Sequence, residues 1–171
     1  MLMYPRAFVF ICLSLVGVLT WSSIGWGQTL REETEQTAHH LTTLLNVGRL
    51  VVERNQALIN DPGKGDKGFT PEVFEHEAAN EFLRQTHIDL NNLPTHLPSL
   101  AKELLPLLLE LSKQVVADAQ LVINQRGIGY KNFIPATFGS QASRKFSNRS
   151  HVQIKQTTLN PMNLKNTPDA Y

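Results

Sequence analysis

Between Thr29 and Ile59 the apolar side chains Leu30, Leu41, Leu44, Leu45, Val51, Val52 and Leu58, with Thr34, recur mostly at spacings of three, four or seven, with charges between them. That period matches the helical repeat and puts one apolar face along a long helix. The helix is expected to stop at Asn60-Asp61-Pro62-Gly63, where turn formers meet a proline that cannot continue the hydrogen-bond ladder. A second helical pattern follows Thr70-Pro71-Glu72, an N-cap with proline at the first helical position, and carries Val73, Phe74, Ala78, Phe82 and Leu83 on one face to about Thr86. Residues 87–98 hold Asn91-Asn92, Pro94 and Pro98 and read as a linker. A third helix is expected from Ser99 to about Gln125, kinked or split at Pro106. Gly127 and Gly129 end it, and Pro135 opens a short helix to about Phe146.

The last regular element is of another kind. His151-Val152-Gln153-Ile154-Lys155-Gln156-Thr157-Thr158 alternates with period two, the mark of a strand with Val152 and Ile154 on one face. One strand cannot stand alone. Either its partners lie beyond a truncated end, or it pairs with a second copy in a homodimer.

The first 27 residues read as a secretory leader. After Arg6, the run Ala7–Thr20 is free of charge and 14 residues long, the size of a signal-peptide core. Gly25 and Gly27 give small residues at −3 and −1 for cleavage before Gln28. The alternative is an uncleaved anchor, since Ala7–Trp26 approaches the length that crosses a bilayer. Both readings place the working protein outside the cytoplasm, in the periplasm or an equivalent space. They divide the chain into a leader (1–27), a long N-terminal helix (28–60) and a sensor-like remainder (61–171).

Export also limits the chemistry. Cys12, in the leader, is the only cysteine, so a processed chain has no disulfide, thiol nucleophile or thiolate metal site. The six histidines are scattered, and His76-Glu77-Ala78-Ala79-Asn80 places Asn80 where a zinc-protease helix needs its second histidine. Ser140 lacks the glycine pattern of a nucleophile elbow. Glu72, Glu75 and Glu77 suit the start of a helix without catalysis. No enzyme is expected. Charge is unevenly spread: residues 28–118 hold 8 Lys/Arg against 14 Asp/Glu, and residues 119–171 hold 7 against Asp169 alone. A basic tail suits an anionic partner, although nucleic acid is not expected outside the cytoplasm.

The segment Gly129-Tyr130-Lys131-Asn132-Phe133-Ile134-Pro135-Ala136-Thr137-Phe138-Gly139, then Val152–Thr158, Asn160-Pro161-Met162-Asn163 and Thr167-Pro168-Asp169, resembles a bacterial extracytoplasmic family long known as a domain of unknown function. Its members have a PAS-like fold, some bind c-type haem, and the module occurs on the outer side of sensor kinases and chemoreceptors. The resemblance implies an α+β, PAS-like fold, mostly helical here with one C-terminal strand of an incomplete sheet. It also implies a non-enzymatic sensor or haem-associated redox role, with an unknown small ligand or a redox partner protein. By resemblance the ligand-binding positions are Tyr130, Lys131, Phe133, Pro135, Phe138, Asn160, Pro161 and Asn163. The Cys-x-x-Cys-His haem site of such proteins is absent, so no cofactor is carried over to a residue of this chain. Membrane contact is expected only through an uncleaved leader. The alternative is a periplasmic helical protein-interaction module without a small-molecule ligand.

Overall fold

A computed structural model describes residues 22–155, 157, 167 and 168, and all of its regular elements are helical. They are α1 (Ser22–Arg54), α2 (Gln56–Ile59), α3 (Pro71–Thr86), α4 (Ser99–Asp118), α5 (Gln120–Ile123) and α6 (Pro135–Ser150). The expected α+β, PAS-like fold is therefore corrected: no strand or sheet exists among the described residues. Residues 152–155 do alternate, but Val152 and Ile154 pack as half-buried side chains on the helical core. A period of two lets an extended segment cover a helix as well as pair in a sheet.

The other elements lie close to where periodicity puts them. Thr70 caps α3, its hydroxyl accepting from the Val73 amide at 3.3 Å, with Pro71 in the first turn. α4 runs through Pro106, which lies inside it, without being split there, and the interruption comes at Ala119. α1 starts at Ser22 and so passes through the expected cleavage point before Gln28; the apolar run of the leader lies outside the described residues.

The chain folds as two copies of one hairpin, 64 residues apart. Ile59-Asn60, Gly63, Gly65, Lys67, Phe69, Pro71, Phe74, Ala78, Phe82 and His87 recur as Ile123-Asn124, Gly127, Gly129, Lys131, Phe133, Pro135, Phe138, Ala142, Phe146 and His151. The long helices match as well, with Leu41, Leu44, Val51, Val52 and Gln56 facing Leu105, Leu108, Val115, Val116 and Gln120. Each long helix breaks at one position, Asn55 or Ala119, and adds a four-residue turn. α3 and α6 are both 16 residues long and end on a left-handed histidine, His87 at φ 60° and His151 at φ 61°. Thr86 and Ser150 make the same pair of bonds there, each hydroxyl donating to a carbonyl four residues back and accepting from the amide two residues on.

The two hairpins are related by an approximate two-fold axis. α1 packs on α3, α4 and α6, and α4 packs on α1, α3 and α6, so the long helices form the centre and the short ones flank them. The aromatic pair Phe74 and Phe138, one from each copy, meets with ring centroids 5.1 Å apart, both rings fully buried. An ion pair is also repeated, with its polarity reversed: Arg54–Glu81 at 3.1 Å in the first copy is Lys145–Asp118 at 2.9 Å in the second.

Gly48 is the point where α1 passes under that aromatic pair. A Cβ there would lie 2.8 Å from Phe138 Cε1 and 3.3 Å from Phe74 Cζ. Alanine gains about 1 kcal/mol of helix propensity over glycine, but overpacking a rigid core costs roughly 1–3 kcal/mol. Gly48→Ala is therefore expected to lower the midpoint of urea unfolding, whereas an exposed helical glycine would raise it.

Glu81 is the most strongly held acid. Arg84, then Gln85, then Arg54 hydrogen-bond its buried carboxylate and hold it at about 2, against 4.5 ordinarily. A carboxylate depressed in the folded state adds stability in full above its unfolded value, and this is lost as pH falls towards the folded value. The stability difference between wild type and Glu81→Gln should thus be full at pH 7 and shrink between about pH 4.5 and 2. Urea titrations across that range check it.

Candidate functional site

The loop positions picked out by resemblance have mainly structural surroundings. Phe133 and Phe138 are buried and meet edge to face at 6.4 Å. Pro135 opens α6. Tyr130 is 64% exposed, its hydroxyl donating to Asn132 Oδ1 at 3.4 Å. Lys131 is buried, and its ammonium donates to the carbonyls of Gln125 and Ile128 at 2.6 Å each. Asn160, Pro161 and Asn163 lie outside the described residues.

Lys131 has a twin in Lys67, whose ammonium donates to Asp61 O at 2.6 Å and to Lys64 O. The two loops are cross-stitched by reciprocal bonds. Asn124 Oδ1 accepts from the Lys67 amide at 2.9 Å, and Asn60 Oδ1 from the Lys131 amide at 3.3 Å. Gln120 donates to Phe69 O at 3.0 Å, and Gln56 to Phe133 O at 3.1 Å. Burial, then repulsion from Lys131, pushes the Lys67 ammonium below its ordinary value. Each lysine thus satisfies carbonyls that a tight loop turns inward. A carbonyl left without its donor costs roughly 1–3 kcal/mol. Lys131→Met and Lys67→Met should each destabilise by about that amount and raise amide exchange in both loops, because the Asn and Gln stitches couple them.

A more open site lies at the other end of the bundle. Gln36 and His40 from α1, Thr86, His87 and Ile88 at the end of α3, and Pro94, His96, Leu97 and Pro98 of the connection line a cavity of about 380 Å³. Three histidines far apart in sequence converge here. His87 is brought in by the left-handed turn that ends α3, and His96 by the proline-rich connection. His40 Nδ1 is buried and has no hydrogen-bond partner among the described residues. Burial, then the neighbouring His39, lowers its pKa, which favours a neutral imidazole that can donate one bond and accept another.

A second cavity, also about 380 Å³, lies on α1 beside the C-terminal segment, lined by Ala38, Leu41, Thr42, Val152, Gln153, Ile154, Lys155, Thr157 and Pro168. The stretch of α1 from 36 to 42 therefore borders both cavities. Just before it, residues 29–36 are exposed on every side, and Thr37 is the first buried side chain whose surroundings are described. α1 thus leaves the bundle as a bare rod directly beyond the two cavities.

No group of three His, Cys, Asp or Glu able to hold a metal ion occurs among the described residues. Covalent haem does not fit this chain either, with Cys12 its only cysteine and no Cys-x-x-Cys-His site. No family model, no curated protein and no solved structure matches the chain. The geometry alone carries the functional argument. Reading along the sequence missed the three-histidine cavity because its members belong to three different elements. The signal within reach was the 64-residue repeat, which would have placed the ends of α3 and α6, with His87 and His151, in matching positions.

Proposed function

We propose that this is an exported, non-enzymatic ligand-binding module of sensor type, in which a small molecule beside α1 is read out through the rod that α1 extends from the bundle. The observation that carries it is the double role of residues 36–42, which wall both cavities immediately before α1 leaves the fold. A ligand held there touches the one helix that leads towards the apolar N-terminal segment. The partnerless Nδ1 of His40 offers such a ligand a directed bond in a partly apolar setting, the usual make-up of a small-molecule site.

The lining suits a compact molecule with both polar and apolar surface, since Gln36, His40, Thr86, His87 and His96 are polar while Ile88, Pro94, Leu97 and Pro98 are apolar. A thermal-shift screen of heteroaromatic compounds and small organic acids, with free haem included, tests the reading. A ligand at a hundred times its Kd stabilises by about 2.7 kcal/mol, which shifts the melting point of a domain this size by on the order of 5–10 °C. A genuine hit should lose its shift in His40→Leu and slow amide exchange over residues 29–42. Hits indifferent to His40, or without effect on that stretch of α1, would refute the proposal.

A further inference from the structure

The two copies keep the same loop framework but differ in what they show to solvent. At corresponding places the first loop carries Ala57, Lys64 and Asp66, and the second carries Leu121, Ile128 and Tyr130. Leu121 is 90% exposed, and Ile128, Tyr130 and Val122 are exposed as well. Single exposed apolar residues are ordinary and need no explanation. These four share α5 and the loop it opens into; Leu121, Ile128 and Tyr130 stand where the first copy has Ala57, Lys64 and Asp66, so the fold does not require them there, whereas Val122 stands where it has Leu58. None of the four lines either cavity described above.

Cations accompany them. Arg126 lies across Gly65 of the opposite loop, where a Cβ would come within 2.6 Å of its Nε. Neither Arg126 nor Lys64 makes an ion pair among the described residues. Asp61 and Asp66 accept from the Gly63 and Gly68 amides and keep their charge, while Glu72 and Glu75 bind Lys113. The two loops, residues 60–70 and 124–134, thus carry Lys64, Lys67, Arg126 and Lys131 against Asp61 and Asp66, and they present exposed aliphatic side chains, a tyrosine and an excess of positive charge.

We infer that this loop end docks on an anionic lipid surface, with Leu121, Val122 and Ile128 entering the interface, Tyr130 at headgroup depth, and Arg126 and Lys64 against lipid phosphates. Apolar insertion and attraction to anionic lipid add together in such binding. Exposed apolar side chains would suit a protein surface too, but the excess of positive charge around them favours anionic lipid. The inference is independent of the ligand cavities at the other end.

The test uses the full chain with Cys12→Ser and Gln125→Cys, the new thiol carrying an environment-sensitive fluorophore. It is mixed with vesicles of phosphatidylglycerol or of phosphatidylcholine. A blue shift with phosphatidylglycerol, weakened at least several-fold by 0.5 M salt and lost in Leu121→Asp/Ile128→Asp, is expected. Arg126→Glu should weaken binding several-fold without abolishing the circular dichroism of the bundle. Because these side chains are exposed, the variants are expected to fold, and their unfolding curves confirm it. Equal shifts on both lipids, a shift unaffected by the Asp variant, or co-sedimentation through the N-terminal apolar segment with no shift at residue 125 would each overturn the inference.

Discussion

The loops that join each long helical arm to its short partner, residues 60–70 and 124–134, turn several carbonyls inward, and a buried lysine meets them in each. Lys67 and Lys131 each bind two carbonyls of their own loop through the side-chain ammonium, while the backbone amide of each is held by an asparagine of the other loop. A charged group taken out of water is tolerable only when its donors are used. Methionine would fill the space but leave the carbonyls bare. The asparagine and glutamine stitches run between copies, so each loop's native hydrogen bonds are complete only when the other hairpin is in place.

The approximate two-fold explains which features are framework and which are free. Positions bearing the stitches, Asn60 and Asn124, Gln56 and Gln120, are the same in both copies, as are Phe74 and Phe138, whose rings meet at a tilt across the axis. Where the structure needs only complementarity, the copies diverge. Arg54–Glu81 and Lys145–Asp118 keep an ion pair but exchange its signs. Gly68 at φ 67° is matched by Asn132 at φ 56°, the two residue types that enter the left-handed region most readily. Such substitutions preserve the physical requirement and not the residue. Exposed positions that change from Lys64 and Asp66 to Ile128 and Tyr130 preserve neither, which sets them apart from the framework.

The helices were legible in the sequence because apolar period and capping act locally. Thr70-Pro71 marks α3, Pro135 marks α6, and the turn at Asn60–Gly63 marks the end of the first helical run. The error at residues 151–158 has an equally local cause. Alternation reports that one side of an extended segment is apolar, and it is silent about whether a sheet or a helix lies beneath. Pairing is a tertiary property, and in residues 152–155 the surface beneath is helical. Lys131 stands out in the sequence as a ligand-binding position by resemblance, and in the fold its ammonium donates to two carbonyls of its own loop. A buried lysine signals unmet acceptors nearby, and those acceptors are main-chain carbonyls that carry no residue identity. The histidine cavity was hidden for a related reason, since His40, His87 and His96 line one cavity only once α3 and the connection after it have folded back along α1.

The two ends of the molecule are joined by α1. From the cavities at residues 36–42 to the loop end near Arg54 the helix spans roughly 20–25 Å at 1.5 Å per residue. Its inward face, including Leu41, Leu44, Val47, Val51 and Val52, is buried against α3, α4 and α6 throughout. A helix packed on three neighbours transmits displacement along its axis but resists bending, because close-packed side chains leave little room to adjust. The part that can respond separately is the exposed rod before Thr37, which lacks those neighbours. A ligand at residues 36–42 therefore acts at the boundary between a rigid and a free portion of one helix. The cavity end is suited to signalling outwards along the rod, and the loop end, held by its lysines, is suited to presenting a fixed surface.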